Sequence, residues 1–393
     1  MAEWKKCKIS DIGTVVGGAT PSTKKSENYE NGDISWITPK DLSTFCGRYI
    51  KQGERNITET GYRSCSTQLL PRNSVLFSSR APIGYVAIAA KELCTNQGFK
   101  SVIPNENIDP LFLYYLLKYN KHNIESMGSG TTFKEVSANT MRNIIVFVPS
   151  DKRVQEKIAS ILGALDNKIE ENERINNNLE LQAQAIFSNE FLTLETLPDS
   201  WKQASLIDIA DYLNGLAMQK YRPTVDETGI PVLKIKELRQ GCCDDNSELC
   251  SPNIKSEYII RDGDVIFSWS GSLLVDFWCG GICGLNQHLF KVTSNKYDKW
   301  FYYAWTKHHL DRFIAVAADK ATTMGHIKRD ELSKAEVLIP NEADYKRIGD
   351  LLQPIYDLII ANRIENKKLA EARDTLLPKL MSGEIDISEV DYE

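Results

Sequence analysis

The sequence has few of the features that mark a membrane protein or a secreted protein. Its 393 residues contain no apolar run near the roughly 20 residues that a membrane span needs, and its first residues lack an apolar stretch of signal-peptide length. Nine cysteines, an odd number, are scattered without paired spacing, which is typical of buried thiols in a reducing compartment. We therefore predict a cytoplasmic chain that makes no membrane contact.

Sequence motifs for catalysis are also missing. No Gly-x-x-x-x-Gly-Lys-Ser/Thr phosphate loop occurs, and Gly128 to Phe133 (GSGTTF) lacks the flanking strand and later glycine of a dinucleotide fingerprint. The sequence has no Asn/Asp-Pro-Pro-Tyr/Phe loop of an amino-methyltransferase, and its five histidines lack the spacing of metal ligands or of a triad. We predict no catalytic residue, no metal site and no cofactor.

Charge is distributed unevenly along the chain, whose net charge is -6. Residues 1–150 carry 18 Lys and Arg against 13 Asp and Glu, whereas residues 151–195 and 342–393 are acidic. Because nucleic acid binding depends on local charge, the acidic total does not exclude it.

The chain contains a long internal repeat, which is its most informative feature. Ile34 to Leu42 (ISWITPKDL) matches Ile230 to Leu238 (IPVLKIKEL), and Asn73 to Ser78 (NSVLFS) matches Gly263 to Ser268 (GDVIFS). The repeat predicts two globular units, each followed by one long helix. The predicted segments are a first globular domain at 1–150, a helical region at 151–195, a second globular domain at 196–341, and a second helical region with the C-terminal tail at 342–393.

Each globular domain is predicted to be α+β. Short β-branched and aromatic runs bounded by Gly, Pro, Asn and Ser are typical of strands, as at Val75 to Ser78, Tyr85 to Ala89 and Ile144 to Val148. Residues 111–120 (LFLYYLLKYN) are too long and too continuous for a strand and indicate a buried helix.

The repeated helices share a heptad seam, in which apolar residues alternate steps of four and three. Residues 158–177 (IASILGALDNKIEENERINN) and 348–367 (IGDLLQPIYDLIIANRIENK) keep the seam in step. The matched asparagines predict that the two helices pair with each other, and the short connection at 186–201 predicts that they run antiparallel. The alternative is that each amphipathic helix lies on its own domain. The matched seam positions are Ile158, Leu162, Ile169, Asn172 and Asn176 in the first copy, and Ile348, Leu352, Ile359, Asn362 and Asn366 in the second.

Two similar but non-identical units on paired helices would suit two different short sequences on one DNA duplex. Their loops carry the side chains that bind DNA, since Arg pairs with guanine, Gln and Asn pair with adenine, and Lys, Ser and Thr contact phosphates. For each of these residues the alternative is an ordinary solvated loop side chain. The candidate DNA-binding residues are Thr23, Lys24, Lys25, Arg80, Gln97 and Lys134 in the first domain, and Lys220, Arg222, Ser270, Gln287 and Lys328 in the second.

Three segments resemble the specificity subunit of type I restriction-modification systems. They are Gly17 to Lys25 (GGATPSTKK) with the later ISWITPKDL, residues 214–241 (NGLAMQKYRPTVDETGIPVLKIKELRQG), and Leu376 to Ile387 (LLPKLMSGEIDI). The resemblance implies an α+β fold of two similar target-recognition domains, separated by two long helices that form an antiparallel coiled coil, with a pseudo-twofold internal repeat.

The same resemblance implies a non-catalytic subunit that reads a bipartite asymmetric site on double-stranded DNA. The helices would dock two modification (methyltransferase) subunits, and restriction (endonuclease/translocase) subunits would join the larger complex through these. The first copy ends AIFSNEF where the second ends LLPKLMSGEI, so the two docking ends differ. Two other hypotheses stay open, a stand-alone DNA-binding protein such as a repressor and a scaffold whose domains bind proteins.

Overall fold

A computed structural model describes residues 3–80, 82–130, 134–319 and 329–387. The chain divides into two compact units, one comprising Met1–Glu170 with Leu369–Glu393, and the other Glu171–Lys368. Each unit holds one α+β domain and a part of both long helices. The four predicted segments follow the order of elements along the chain. Their limits as domain boundaries stay a prediction.

The domain of the first unit is built from short strands and short helices. In chain order these are β1 (Trp4–Lys8), α1 (Ile9–Ile12), β2 (Gly13–Gly17), a 3₁₀ turn (Ser26–Asn28), β3 (Ile34–Ile37), α2 (Pro39–Ser43), β4 (Tyr49–Ile50), β5 (Arg55–Ile57), α3 (Glu59–Arg63), β6 (Val75–Phe77), β7 (Val86–Ala89), β8 (Cys94–Thr95), β9 (Lys100–Pro104), α4 (Pro110–Tyr119), α5 (Lys121–Ser126), α6 (Ala138–Asn143) and β10 (Ile145–Pro149).

Three sheets form in this domain, with strand orders β2-β9-β6-β7-β4, β5-β3-β8 and β1-β10. The predicted strands correspond to β6, β7 and β10 within a residue. The predicted buried helix is α4, which begins at Pro110 after Asp109, whose carboxylate accepts from the Phe112 backbone N–H at 2.7 Å. This cap satisfies an N–H that the first helical turn leaves unpaired. Phe112 and Tyr115 on α4 are fully buried in the core of the unit.

The domain of the second unit repeats this plan. Its elements are β11 (Lys202–Ser205), α8 (Leu206–Ile209), β12 (Asp211–Asn214), a 3₁₀ turn (Met218–Lys220), β13 (Ile230–Leu233), α9 (Ile235–Gln240), β14 (Leu249–Cys250), a 3₁₀ turn (Ser256–Tyr258), β15 (Ile259–Ile260), β16 (Val265–Ser268), β17 (Leu274–Phe277), β18 (Cys283–Leu285), β19 (Leu289–Thr293), α10 (Lys299–His308), α11 (Leu310–Asp319), α12 (Arg329–Ser333) and β20 (Glu336–Ile339).

Sheet topology confirms the internal repeat. The order β12-β19-β16-β17 corresponds to β2-β9-β6-β7, and the pair β11-β20 corresponds to β1-β10. The turns before β6 and β16 also match, because Asn73 (φ 71°) and Gly263 (φ 84°) both adopt the left-handed conformation that Asn and Gly tolerate best. Their N–H groups donate to the carbonyls of Ala89 and Trp278 at 2.8 and 2.7 Å.

The two long helices are α7 (Lys152–Phe187), which continues as a π-helical turn (Ser188–Leu192), and α13 (Glu342–Met381). They run antiparallel. In the first unit Asp166 accepts from Arg373 at 2.7 Å, and in the second Arg347 donates to Glu190 at 2.7 Å. The predicted antiparallel coiled coil is therefore confirmed. Among the described residues no helix is long and apolar enough to cross a membrane.

The asparagines of the seam face one another in the second unit. The amide of Asn172 donates to the Asn366 Oδ1 at 2.8 Å, and the amide of Asn362 donates to the Asn176 Oδ1 at 2.8 Å. Asn176 in turn donates to the Ile359 carbonyl at 3.3 Å. A polar layer of this kind fixes the register of paired helices at a cost in stability.

We expect the Asn176→Leu substitution to destabilise the protein and the double substitution Asn176→Leu with Asn362→Leu to restore or exceed wild-type stability. The single change leaves the buried amide of Asn362 without its acceptor, which costs about 1–3 kcal/mol, whereas two apolar side chains leave no unpaired amide. Urea unfolding of the three proteins measures this. Equal destabilisation by both variants would show that the amide pair is not what holds the layer.

A buried histidine in the second unit makes stability depend on pH. His309 Nε2 lies 2.7 Å from the Glu336 carbonyl, and its ring stacks on Trp305. Burial lowers the pKa of His309 to about 4. Below about pH 6.5 the unfolded chain therefore binds a proton that the folded chain does not.

We expect this histidine to contribute stability that is complete above pH 6.5 and is lost as the pH falls toward 4, by about 2–3 kcal/mol. The variant His309→Gln keeps a donor for the carbonyl but does not titrate, so its urea midpoint should fall less between pH 7.5 and pH 4.5 than that of wild type. Parallel pH profiles for the two proteins would contradict this role for His309.

Candidate nucleic-acid interface

The loops that carry the candidate residues of the first domain meet at one place, here called the first loop cluster. Thr20 Oγ1 donates to the Gln97 side-chain oxygen, which joins the loop after β2 to the loop after β8. Ser79, after β6, donates its backbone N–H to the Gly98 carbonyl at 2.7 Å and accepts from the Val136 N–H at 2.9 Å. The cluster comprises residues 18–25, 78–80, 82–84, 95–100, 128–130 and 134–136.

A carboxylate holds two cations in this cluster. Arg80 Nε lies 3.0 Å from Glu135 Oε2, and Lys100 Nζ lies 3.5 Å from Glu135 Oε1. Burial raises the pKa of Glu135, but the hydrogen bond and charge of Arg80, together with Lys100, more than offset this, so the pKa lies below its ordinary value. Glu135 therefore stays ionised at neutral pH and fixes the direction of the Arg80 guanidinium, whose remaining N–H groups are suited to a guanine edge or a phosphate.

The second domain forms an equivalent set of loops, the second loop cluster, at residues 215–224, 268–272 and 286–288. The Leu216 N–H donates to the Leu285 carbonyl at 2.9 Å, and the Trp269 N–H donates to the His288 carbonyl at 3.4 Å. Ser270 Oγ lies 3.1 Å from His288 Nδ1.

The two clusters share one backbone frame. Asn96 Oδ1 accepts from the Gly98 N–H at 2.8 Å, and Asn286 Oδ1 accepts from the His288 N–H at 3.2 Å. The N–H groups of the two asparagines donate to the carbonyls of Ile37 and Leu233, at 3.0 and 3.2 Å. Matching residues of the repeat therefore serve as the frame on which the exposed loop side chains are presented.

Each frame includes one glycine at which two backbone segments approach each other closely. A side chain on Gly18 would collide with the carbonyl oxygens of Thr95 and Asn96, and one on Gly215 would collide with the Asn286 carbonyl. Close approach of two backbone segments, rather than an unusual φ, thus requires glycine at these two positions.

Most of the predicted DNA-binding residues are exposed on these loops. Ser270 is buried and Gln287 is half-buried, so both lie nearer to the frame than to solvent. Lys328 lies outside the described residues. The exposed residues are Thr23, Lys24, Lys25, Arg80, Gln97, Lys134, Lys220 and Arg222.

A second carboxylate lies between two cations beside the second loop cluster. Arg222 and Lys234 contact Glu248 at 2.9 and 2.5 Å. The hydrogen bond from Lys234 lowers the pKa of Glu248 most, and the charge of Arg222 adds to this. Each domain therefore presents a cation whose direction a carboxylate fixes. Within the part of the chain that the structure describes, Lys24, Lys134 and Lys220 have no carboxylate partner.

Several residues of these clusters were not predicted from the sequence. Glu135 and Glu248 are acidic, and acidic residues are poor candidates for DNA contacts when taken alone. Trp269 and His288 also belong to the second cluster, with ring centroids 6.2 Å apart, and the Trp269 indole donates to Asn214 Oδ1 at 3.0 Å. For Trp269 and His288 the internal repeat could have indicated membership of the cluster, because it aligns Trp269 with Ser79 and His288 with Gly98.

The seam residues of the helices are largely buried within the two units. Ile158 and Leu162 belong to the core of the first unit, and Ile348, Leu352 and Ile359 belong to the core of the second. Exposed apolar side chains also lie on the same helices. In the second unit these are Leu181, Leu351 and Leu358, which are 67, 46 and 46% exposed.

No group of three or more His, Cys, Asp or Glu side chains suited to a metal ion occurs among the residues that the structure describes. All nine cysteines lie among the described residues and none of them forms a disulfide, and burial raises the pKa of those in the second domain that lie in its core, such as Cys250 and Cys283.

Comparison with known proteins identifies the family. The family described as type I restriction modification DNA specificity domain matches residues 1–181 and 198–372, once for each half of the repeat. The specificity subunit of the type I restriction enzyme MjaIX from Methanocaldococcus jannaschii is 33% identical over 415 residues, covering 99% of this chain and 95% of the relative.

Two further matches agree with it. The specificity subunit of EcoR124I/EcoR124II from Escherichia coli is 34% identical over 181 residues, covering 42% of this chain and 41% of the relative. The crystal structure of a type I restriction-modification S subunit from M. genitalium has the same fold, with a TM-score of 0.58 and 16% identity over 98% of this chain and 97% of that one. The chain therefore belongs to the type I restriction-modification DNA specificity family, whose members are DNA-recognition subunits without catalytic activity of their own.

Proposed function

We propose that this chain reads a bipartite, asymmetric site on double-stranded DNA, with one half-site for each loop cluster. The observation that carries the proposal is that the two clusters share a backbone frame but present different side chains. At matching positions the first cluster has the buried Ser79 and the exposed Arg80, where the second has the half-buried Trp269 and the buried Ser270. Equal frames support a common way of docking on DNA, and different side chains support two different sequences.

Each cluster contains some side chains that are suited to phosphate contacts and others that are suited to base contacts. The exposed lysines, Lys24, Lys25 and Lys134 in the first cluster and Lys220 in the second, are suited to phosphate contacts, which position a protein on DNA. Arg80 is suited to guanine, and Gln97 to adenine. In the second cluster the exposed Arg222 and the half-buried Gln287 and His288 offer polar groups of different geometry.

In this proposal the chain positions separate modification subunits and does no chemistry itself. Methylation of an adenine requires that the base leave the helical stack and enter the pocket of a methyltransferase. Such a pocket and its S-adenosylmethionine would belong to the modification subunits. Two of these would dock on the long helices, where Leu181, Leu351 and Leu358 are exposed. Restriction subunits would join through them.

Reconstitution with the cognate modification subunit tests the proposal. We expect the isolated chain to methylate and cleave nothing, and the mixture with modification subunit to methylate adenine at one bipartite sequence, read out by methylome sequencing. Methylation by the chain alone would contradict the proposal. Tight specific binding without any partner would favour a repressor-like protein, and an assembled complex that protects no DNA would favour a protein scaffold.

A further inference from the structure

A buried arginine ties the first recognition domain to the long helix of its own unit. Arg48, directly before β4, is 4% exposed. Its Nε donates to Glu170 Oε1 at 2.9 Å, and its guanidinium also donates to the Gly163 carbonyl at 3.4 Å and to the Asn167 side chain. The backbone N–H of Arg48 donates to the same Glu170 carboxylate at 3.2 Å. One arginine thus contacts two turns of α7.

The helix is shaped to receive this side chain. A Cβ on Gly163 would lie only 3.3 Å from the Arg48 guanidinium and 3.1 Å from the Leu111 side chain, so glycine allows the domain to approach the helix closely. One turn further along, Asp166 accepts from the Tyr115 hydroxyl of α4 at 2.5 Å and from Arg373 of α13 at 2.7 Å. Asp166 of α7 is therefore bonded both to the domain and to α13.

The second unit has a connection of the same kind with its charges reversed. Arg363 belongs to α13, and its guanidinium donates to the Asp276 carboxylate of β17 at 2.6 Å and to the Phe277 carbonyl at 3.4 Å. The other side of the guanidinium donates to Glu180 of α7 at 2.9 Å. Here the helix supplies the arginine and the domain supplies the acid, whereas in the first unit the domain supplies the arginine.

Such connections are better suited to fixing direction than to adding stability. Ion pairs in such partly buried positions add little net stability, because a charge loses hydration where it is buried and is screened where it stays exposed. Their hydrogen bonds are nevertheless directional, and a guanidinium bonded on several sides leaves its carboxylate partner one orientation. The connections made by Arg48 and Arg363 therefore restrict how each domain tilts on its helices.

We propose that Arg48 and Arg363 are positioning residues that hold each recognition domain at a fixed tilt on the helices of its own unit, so that the complex accepts one spacer length. The inference rests on the proposed function. One added base pair moves the second half-site by about 3.4 Å and turns it by about 35°. A domain that tilts freely follows such a change, and a locked domain does not.

The test compares methylation by wild-type, Arg48→Met and Arg363→Met chains, each co-expressed with the modification subunit. The substrate is a plasmid library in which both half-sites are constant and the spacer is native, one base pair longer or one base pair shorter. We expect the variants to keep both half-sites and to methylate the off-length spacers severalfold more, relative to the native spacer, than wild type does.

Matched variants separate positioning from a general loss of structure. Arg174→Met removes an exposed cation of α7 that pairs with Glu171 at 2.7 Å, and it should leave spacer selectivity unchanged. Arg48→Lys keeps the positive charge but lacks the planar guanidinium, so it should relax spacer selectivity partly. This variant replaces Arg48→Met in the test if the methionine variant does not fold.

The outcomes distinguish this inference from the proposed function. If wild type methylates one bipartite site and the active Arg48 and Arg363 variants keep its strict spacer, the positioning role is refuted and the proposed function stands. If the wild-type complex shows no sequence-specific methylation, the proposed function itself is refuted. Relaxed half-site sequences with an unchanged spacer would assign the arginines to base recognition instead and would also overturn the inference.

Discussion

Inserting one heptad into each long helix is expected to change the spacer of the methylated site, with both half-sites unchanged. Seven helical residues add about 10.5 Å at 1.5 Å per residue, and DNA rises about 3.4 Å per base pair. A heptad also returns the helix to nearly the same rotational phase, with a drift of only about 20°. The change in the protein is therefore nearly a pure translation, whereas each added base pair also turns the second half-site by about 35°, so the new spacer depends on both the added length and this rotation.

The insertion point follows from the register of the helix pair. Asn172 bonds to Asn366, so a heptad between Glu171 and Asn172 lies opposite one between Asn366 and Lys367. Neither insertion removes a residue or separates Arg48 from Glu170 or Arg363 from Glu180, which lie within the first and the second unit. The domains thus keep their own contacts.

Methylome sequencing of cells that express the variant with its modification subunit measures the new spacer. As a control, the same heptad inserted into α7 alone keeps the apolar seam in phase but moves Asn172 and Asn176 seven residues out of line with Asn366 and Asn362, so the helix pair loses its register and methylation should be lost. A native spacer in a chain that carries both insertions would show that the helices do not set the distance between half-sites.

The features that the sequence predicted well are those with a local period. The heptad steps through Ile158, Leu162 and Asn172 and their counterparts in the second copy predicted the coiled coil, because an apolar seam with asparagines at matching positions favours the pairing of two helices. The repeat predicted that one domain plan occurs twice. The helix of residues 111–120 followed from its continuous apolar run.

The features that the sequence did not predict depend on residues far apart in the chain. Nothing near Arg48 signals that its partner is Glu170, and a buried arginine looks like any loop cation until the domain is folded. Ser270 was a candidate DNA contact because it lies in a polar run, yet it is buried against His288. Burial of a short polar side chain depends on tertiary packing that periodicity does not encode.

The carboxylates of the loop clusters illustrate the same limit for function. Residues were chosen by their ability to donate to DNA, and this criterion passes over Glu135, which orients Arg80 at 3.0 Å. A residue that acts through another side chain has no signature of its own in one sequence. Its role becomes visible only when the two loops are brought together by the backbone frame.

Removing the exposed lysines of the first loop cluster is expected to weaken DNA binding greatly without changing the sequence that is read. The variant replaces Lys24, Lys25 and Lys134 by alanine in the assembled complex with the modification subunit. If each lysine neutralises one phosphate, the loss of three contacts lowers the slope of log affinity against log salt by about 2.7 and the affinity near 0.1 M salt by about 10²- to 10³-fold.

A contrasting variant, Gln97→Ala, is expected to change sequence discrimination and not the salt dependence of binding. It removes no charge, so the salt slope should stay the same, while discrimination at one position of the first half-site should fall by about 1–3 kcal/mol. Arg153→Ala, which removes an exposed cation paired with Asp151 at the start of α7, is the control for net charge alone. Fluorescence anisotropy between 50 and 200 mM salt, with matched and mismatched duplexes, measures both quantities. If the triple lysine variant and the Arg153 variant lost affinity equally, the first loop cluster would not be the surface that contacts phosphates.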